Sequence, residues 1–421
     1  MMKIVNCNTK NYISKIANIL DKRRFGNERK LKIVNKIIKD IKQNKKKALI
    51  KYEKKFSNNK EIVLNIKRIN KAIKSLDPKI KKAIDFAYRR IYRFHLKQKT
   101  KNIYFKDNLN NKIDYKYVPI HSVGIYVPAN LPSTLLMNAI PAKIAGVKRI
   151  VIANPKNNGK LNPAVLYVAK KLGIKEIYSI GGAQAIGSLA YIQKVNKIVG
   201  PGNIYVASAK KEVFGDVGIE GMIAGPSEIT VLADGKTKLN EVTTSMIGQA
   251  EHDINAQCIL ITKDTNLIKK FKIDLLRKLK DLPRKSIAYK SIKNNGLIIK
   301  VNNDKQIIDI INEIAPEHLE LNVVNYKKYV DKIINAGSIC IGKYSPMALS
   351  DYAVGTNHVL PTNSSSKFSS GLSLSEFYKK ISYIKLSKKG VEVIGKSATH
   401  LAEYEQLFGH ALSIRSRMRR N

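Results

Sequence analysis

Tryptophan is absent from this 421-residue chain, cysteine occurs three times, and acidic residues number 32 against 77 lysines and arginines. Cys7, Cys258 and Cys340 are far apart and odd in number. That excludes a disulfide framework and a Cys-x-x-Cys metal site, and it leads us to expect a reducing cytoplasm. No apolar run approaches the ~18 residues of a membrane-spanning helix. The first residues, Met1-Met2-Lys3-Ile4-Val5-Asn6-Cys7, show no apolar core followed by a small-residue cleavage site, so no secretory signal is expected. A Gly-x-Gly-x-x-Gly fingerprint is also missing, which excludes the usual Rossmann dinucleotide loop.

The charge that is present sums to +45. Taken alone, such a value points to nucleic acid. Its distribution argues otherwise. Lysine is spread over nearly the whole chain, arginine is scarce before Arg415, Arg417, Arg419 and Arg420, and no aromatic-and-glycine RNA-binding signature occurs. Lysine, isoleucine and asparagine are abundant together, and all three have AT-rich codons. The charge therefore reads as compositional drift onto solvated faces, with no specific nucleic-acid partner and no membrane partner.

The length predicts two to three domains. From about residue 28 to 100 the pattern is helical and basic, with Ile33, Ile37, Ile38 and Ile41 at helical spacing. From Ser122 onward short apolar runs alternate with helical stretches. Strands are expected at 122–127, 149–153, 176–180 and 197–199, then at 228–233, 257–262, 296–301 and 337–342, with helices between them. That alternation argues for parallel βαβ units in two α/β lobes. Gly181-Gly182, Gly200-Pro201-Gly202 and Gly225-Pro226 punctuate the strand ends. Ligands are expected at the carboxyl ends of such strands. Beyond Ser364-Ser365-Ser366 the chain is expected to be mostly helical.

Four segments carry the chemistry. Gln249 and His252 lie three apart and share a helix face; a glutamine carbonyl oxygen can bind a metal, although these two residues alone read better as an ordinary exposed helix end. Pro316 ends a helix, which leaves Glu317 and His318 in a turn or at a strand start, where the pair can divide acid–base work or simply line a polar loop. The segment Asp351-Tyr352-Ala353-Val354-Gly355-Thr356-Asn357-His358-Val359-Leu360-Pro361-Thr362 packs many functional groups into one loop. Asp351 is a hard oxygen ligand for zinc or another divalent cation, and His358 faces either the ligand sphere or a substrate. Glu405 and His410 lie about 140° apart on a straight helix, so they converge only if Gly409 breaks it. Cys258 reads as a strand core residue.

Taken in register, Gln-Ala-Glu-His at 249–252, Pro-Glu-His-Leu-Glu at 316–320 and the 351–362 loop resemble the histidinol dehydrogenase family. Gly-Gly-Ala-Gln-Ala-Ile at 181–186, Gly-Pro-Gly-Asn at 200–203 and Ala-Gly-Pro-Ser-Glu at 224–228 match it too. The resemblance runs from about residue 25 to residue 412. It implies zinc-dependent oxidation of L-histidinol to L-histidine through L-histidinaldehyde, with two NAD+ reduced, as the final step of histidine biosynthesis.

By that resemblance Gln249, His252, Asp351 and His410 hold zinc. Ser227, Gln249, His252, His318, Asp351, Glu405 and His410 contact substrate. Tyr126, Gln184 and Asn203 contact NAD, and Glu317 and His318 accept protons. The implied fold is two Rossmann-like parallel-sheet lobes without the glycine fingerprint, with mostly helical tails. A tail at 1–24 is followed by a discontinuous lobe at 25–125 and 229–372, an NAD-contacting lobe at 126–228, and a C-terminal tail at 373–421. In a homodimer that tail reaches the partner's site, which brings Glu405 and His410 in without the helix-spacing difficulty. After Tyr126-Val127-Pro128 this chain has Ala129-Asn130, where the family usually has Gly-Gly. Rival readings are a non-redox metal-dependent hydrolase on a related scaffold and a basic nucleic-acid-binding protein. Under the drift reading, filter binding to nucleic acid is weak and lost as salt rises; retention at high salt contradicts it.

Overall fold

The computed structural model describes residues 2–24, 28–59, 61–64, 66–157, 159–220 and 225–418. Ala224, Arg419 and Arg420 of the motifs above lie outside the described residues. The chain divides into two units, one of residues 1–98 and 121–376 and the other of residues 99–120 and 377–421. In chain order the strands are β1 (Lys3–Asn6), β2 (Ile103–Lys106), β3 (Lys112–Pro119), β4 (Ser122–Tyr126), β5 (Arg149–Ala153), β6 (Glu176–Tyr178) and β7 (Lys197–Val199). They continue with β8 (Gly218–Ile219), β9 (Glu228–Ala233), β10 (Gln257–Thr262), β11 (Leu297–Lys300), β12 (His318–Asn322), β13 (Ser338–Ile341) and β14 (Tyr378–Lys385).

The larger unit holds two parallel sheets, of order β1-β11-β10-β9-β12-β13 and β6-β5-β4-β7-β8. The first forms because β9, β10 and β12 are buried along their whole length, as expected of strands covered by helices on both faces. Alternate residues serve opposite faces. Val231, Cys258, Leu260 and Ile298 pack with Met246 and Phe271 on one side. Leu232, Ile259, Ile261 and Ile299 pack with Ile310 and Ile311 on the other. Cys258 is thus a core residue, opposite Ile229 in the register.

The lobe boundaries expected from the sequence do not follow the sheets. Residues 3–6, expected as a tail, form β1, paired in parallel with β11 from Lys3↔Leu297 to Asn6↔Lys300. The basic helix Glu28–Ser57, expected with the 229–372 lobe, buries Val34, Ile37, Ile38 and Ile41 against Ile186, Leu189 and Val206 beside the five-stranded sheet. Its apolar stripe matches that lobe's helices, whatever its distance in sequence. The smaller unit holds the antiparallel sheet β14-β3-β2 with the helices Lys388–Tyr404 and Phe408–Arg415. The strand β14 replaces part of the helix expected after residue 373, because its full-length pairing with β3 satisfies the backbone. Among the described residues, no helix is long and apolar enough to cross a membrane.

The polar 351–362 loop is tied to distant elements of its own unit. Asn357 Nδ2 donates to Met137 O at 2.6 Å and reaches His95 Nε2 at 3.3 Å. His95 can accept there because its Nδ1–H donates to Ile91 O at 2.9 Å. Arg90 donates from Nε and Nη2 to the carbonyls of Ala353 and Val354. Gly355 sits at φ +121°, which L side chains rarely adopt. Replacing Asn357 by alanine strands the buried His95 Nε2 and the Met137 carbonyl. We predict a loss of about 1–3 kcal/mol, read by urea denaturation; an unchanged midpoint contradicts the tie.

Candidate active site

Two clusters of sequence-predicted residues form in the larger unit, at opposite kinds of strand end. Tyr126 ends β4, Gln184 lies in the first turn of the helix Gly182–Tyr191 after β6, and Asn203 caps the helix Ile204–Val213 after β7. All three are at carboxyl ends, as expected. Ser227, Gln249, His252, Glu317 and His318 are not. Ser227 precedes β9, and its carbonyl accepts from the amide of Gln257 at the start of β10 at 2.9 Å. Glu317 and His318 lie just before and at the start of β12. The helix Leu239–Ala250 links parallel strands, so it runs back and delivers Gln249 and His252 to the amino edge. The carboxyl-end expectation is corrected there: the return helix supplies the functional groups, and it ends where the next strand begins.

At this amino edge His318 Nε2 lies 3.7 Å from Asp351 Oδ1 and 4.0 Å from Glu317 Oε1. Glu317 is held by its other oxygen, Oε2, which accepts from the Glu228 amide at 2.7 Å. His358 Nδ1 donates to the Asp351 carbonyl at 2.7 Å, which fixes its tautomer and leaves Nε2 as the lone-pair nitrogen. Glu320, two residues along β12, accepts from the Met347 amide at 2.6 Å and so seats the short helix Met347–Tyr352 that carries Asp351.

Burial dominates the electrostatics. It lowers His318 to about 3, with His358 and His252 adding repulsion, and lowers His358 to about 4. His252 is lowered as well, by burial first and then by Arg284. All three imidazoles are therefore neutral near pH 7. Burial also raises Asp351 to about 7. His318 Nδ1 and both amide atoms of Gln249 are buried without a hydrogen-bond partner, a costly state for atoms in a fold this well satisfied.

Those orphaned atoms decide whether a metal fits. Gln249, 1 % exposed, offers an amide oxygen that nothing else uses. Asp351 offers a carboxylate whose only ion-pair partner among the described residues is the neutral His318. His252 offers a neutral imidazole. Oxygen and nitrogen donors of this kind suit a divalent zinc site with open positions. No group of three or more His, Cys, Asp or Glu side chains arranged around one metal position occurs among the described residues. Glu405 and His410 are exposed and belong to the smaller unit.

The second cluster is built on pinned loops. Gly200, at φ +108°, brings its backbone so close to β4 that a Cβ would lie 2.2 Å from Tyr126 O. Lys210, buried in a lysine-rich chain, donates to Gly200 O at 2.5 Å and pairs with the buried Glu220. Asn154 donates to the carbonyls of Val127 and Pro128 at 3.0 and 3.2 Å. Glu53, from the N-terminal basic helix, accepts from the Gly181 amide at 3.0 Å and from Gln184 Nε2 at 2.9 Å. The Tyr126 hydroxyl accepts from the Gly182 amide at 3.4 Å. Neither Ala129 nor Asn130 has positive φ, so both fit the loop without backbone strain. Glu53, Asn154 and Lys210 are missed from sequence because an isolated charged or amide side chain carries no periodic signal; Glu320 stands in the 316–320 motif, but its part in seating the Asp351 helix depends on a contact distant in sequence.

The family model for histidinol dehydrogenase matches residues 20–418. The chain belongs to the histidinol dehydrogenase family. It is 58% identical to the histidinol dehydrogenase of Pelagibacter ubique (strain HTCC1062) over 100% of both chains. It is 41% identical to that of Carboxydothermus hydrogenoformans over 91% of this chain and 93% of that one. A crystal structure of histidinol dehydrogenase from Elizabethkingia anophelis superposes with TM-score 0.91 at 37% identity, covering 99% of this chain and 98% of that one. An acetylating aldehyde dehydrogenase from Geobacillus thermoglucosidasius shares the fold alone, with TM-score 0.52 at 11% identity over 89% of this chain and 97% of that one.

The charge state of Asp351 in this histidinol dehydrogenase family member gives a prediction for the metal-free protein. Its folded pKa of about 7 lies above the ordinary 3.8, so the folded state binds the extra proton between these values. That contribution is present below the ordinary value and is lost as pH rises toward the folded one. In chelator, Asp351→Asn should melt at a higher temperature than the unsubstituted chain, by a margin that widens from about pH 5 to about pH 8. A margin that is constant, or that reverses, contradicts the uncompensated burial.

Proposed function

We propose that the chain oxidises L-histidinol to L-histidine through L-histidinaldehyde, reducing two NAD+ per turnover. What supports this most is the convergence of Glu317, His318, Asp351 and His358 at the strand edge to which the helix of the unpartnered Gln249 amide returns, in a chain of this family. Gln249, His252 and Asp351 would hold zinc together with His410, and bound zinc would orient the substrate's nitrogen groups and complete the charge on Asp351. NAD+ would take the hydride, seated by Tyr126, Gln184 and Asn203.

The chain's own residues supply the proton chemistry. His318, held neutral, has a lone pair for the alcohol proton as hydride leaves the carbinol carbon. Glu317 and Asp351, at 4.0 and 3.7 Å, offset the positive charge that the imidazole then carries. The aldehyde gains water to become its hydrate before the second hydride leaves. Glu317, with Oε2 held by the Glu228 amide, acts on that water through Oε1 on the side of His318. Removal of a second proton gives the carboxylic acid, so each substrate consumes two NAD+ and one water. Enclosure of His318 and Glu317 limits escape of the aldehyde between the two steps.

We further propose a cytoplasmic homodimer in which the partner's C-terminal tail brings Glu405 and His410 to each site. In the rival hydrolase reading the same zinc and carboxylate would activate water with no change in oxidation state. An NADH absorbance assay separates the two. We expect two NADH per L-histidinol, none after chelation, and recovery with zinc; hydrolysis without NADH contradicts the proposal. His318→Asn should lower turnover by about 100-fold or more while zinc content stays at the wild-type level; retained turnover removes His318 from the base role.

A further inference from the structure

Glu53 stands in the segment whose composition reads only as basic packing helix, yet its carboxylate is buried. Two donors converge on its Oε1, the Gly181 amide at 3.0 Å and Gln184 Nε2 at 2.9 Å. An oxygen that takes two N–H donors acts as an acceptor, so the Gln184 amide turns its nitrogen, and not its oxygen, toward Glu53. The Gln184 oxygen is therefore directed away, beside Gly182, where a Cβ on that glycine would lie 3.0 Å from it. The Gly182 amide donates to the Tyr126 hydroxyl. That hydroxyl has thus accepted one bond and keeps its own proton to give.

We propose that Glu53 is a positioning residue for the dinucleotide site: it locks the Gln184 amide so that its oxygen accepts from a donor group on the dinucleotide, a hydroxyl or an amide N–H. This rests on the reading of the loops around Tyr126, Gln184 and Asn203 as the NAD site. It divides recognition between two neighbours of opposite kind, with Gln184 as acceptor and Tyr126 as donor. It also ties the Gly181-Gly182 turn to the N-terminal helix through a charge-assisted bond, the stronger class of hydrogen bond.

Glu53→Leu keeps much of the volume but removes the oxygen that both donors share. The Gly181 amide then loses its partner, and Gln184 turns its oxygen inward to accept from it, away from the ligand. Glu53→Gln retains an acceptor oxygen at the Oε1 position, so both donors keep their partner and the Gln184 oxygen stays turned outward. The test is a fluorescence titration of NADH into the full-length zinc-loaded protein, with zinc content and melting temperature measured alongside. We expect Glu53→Leu to weaken NADH binding about tenfold, with zinc content unchanged, and Glu53→Gln to bind NADH nearly as the wild type does. The KM for NAD+ of Glu53→Leu should rise more than kcat falls. NADH binding by Glu53→Leu equal to wild type, or a loss in Glu53→Gln as large as in Glu53→Leu, overturns the proposal. Failure of Glu53→Leu to fold makes Glu53 a packing residue and overturns it too. Absence of NADH binding by the wild-type protein overturns the underlying dinucleotide reading instead.

Discussion

Asp351 loses its hydration in the fold and meets no cation among the described residues; the basic side chain within 4 Å of it is His318, which burial keeps neutral. At the same sheet edge the fold also leaves the Gln249 amide and His318 Nδ1 without hydrogen bonds. Proteins rarely tolerate several orphaned polar atoms in one place, because each costs about 1–3 kcal/mol. Their concentration at one sheet edge marks a place where stability is given up so that a ligand can supply what is missing. Much of the surrounding structure keeps these groups in place. Glu320 seats the short helix of Asp351, the Glu228 amide holds Glu317, and Asn357, His95 and Arg90 hold the loop that carries His358.

The two sheets supply different ends of the same construction. At the five-stranded sheet, loops after the strands are pinned by single buried side chains, Asn154, Lys210 and Glu53. At the six-stranded sheet, helices that return between parallel strands place side chains at the strand starts. The first arrangement suits a ligand recognised largely by backbone approach. The second suits one handled by acid–base groups and hard donors.

Much of this is legible in the sequence where one physical rule dominates. The strands at 228–233 and 257–262 are readable to the residue, since strands buried on both faces are unbroken apolar runs bounded by polar turns. The candidate site residues are readable as motifs because Gln249, His252, Glu317, His318 and Asp351 combine residue types that packing alone does not need. Long-range pairing is hidden. Nothing local in Lys3–Asn6 says that it joins β11, and the lysines of Tyr378–Lys385 obscure an edge strand whose partner lies more than 250 residues earlier. Single buried charges are hidden for another reason: in a chain with 77 basic residues, the one lysine that clamps Gly200 looks like every other. The direction of the return helix follows from parallel topology, and once that is applied the amino-edge location of His252 and His318 follows too.

The central claim is that the amino-edge cluster is electrostatically incomplete without a divalent cation. The most direct measurement is the melting temperature of the chelated protein as zinc is added, for the unsubstituted chain and for Asp351→Asn. Binding to the folded state alone raises stability with the logarithm of free ligand concentration. The account predicts a melting temperature that climbs steadily with zinc in the unsubstituted chain and stays flat in Asp351→Asn. A flat response in both, or an equal rise in both, would contradict it.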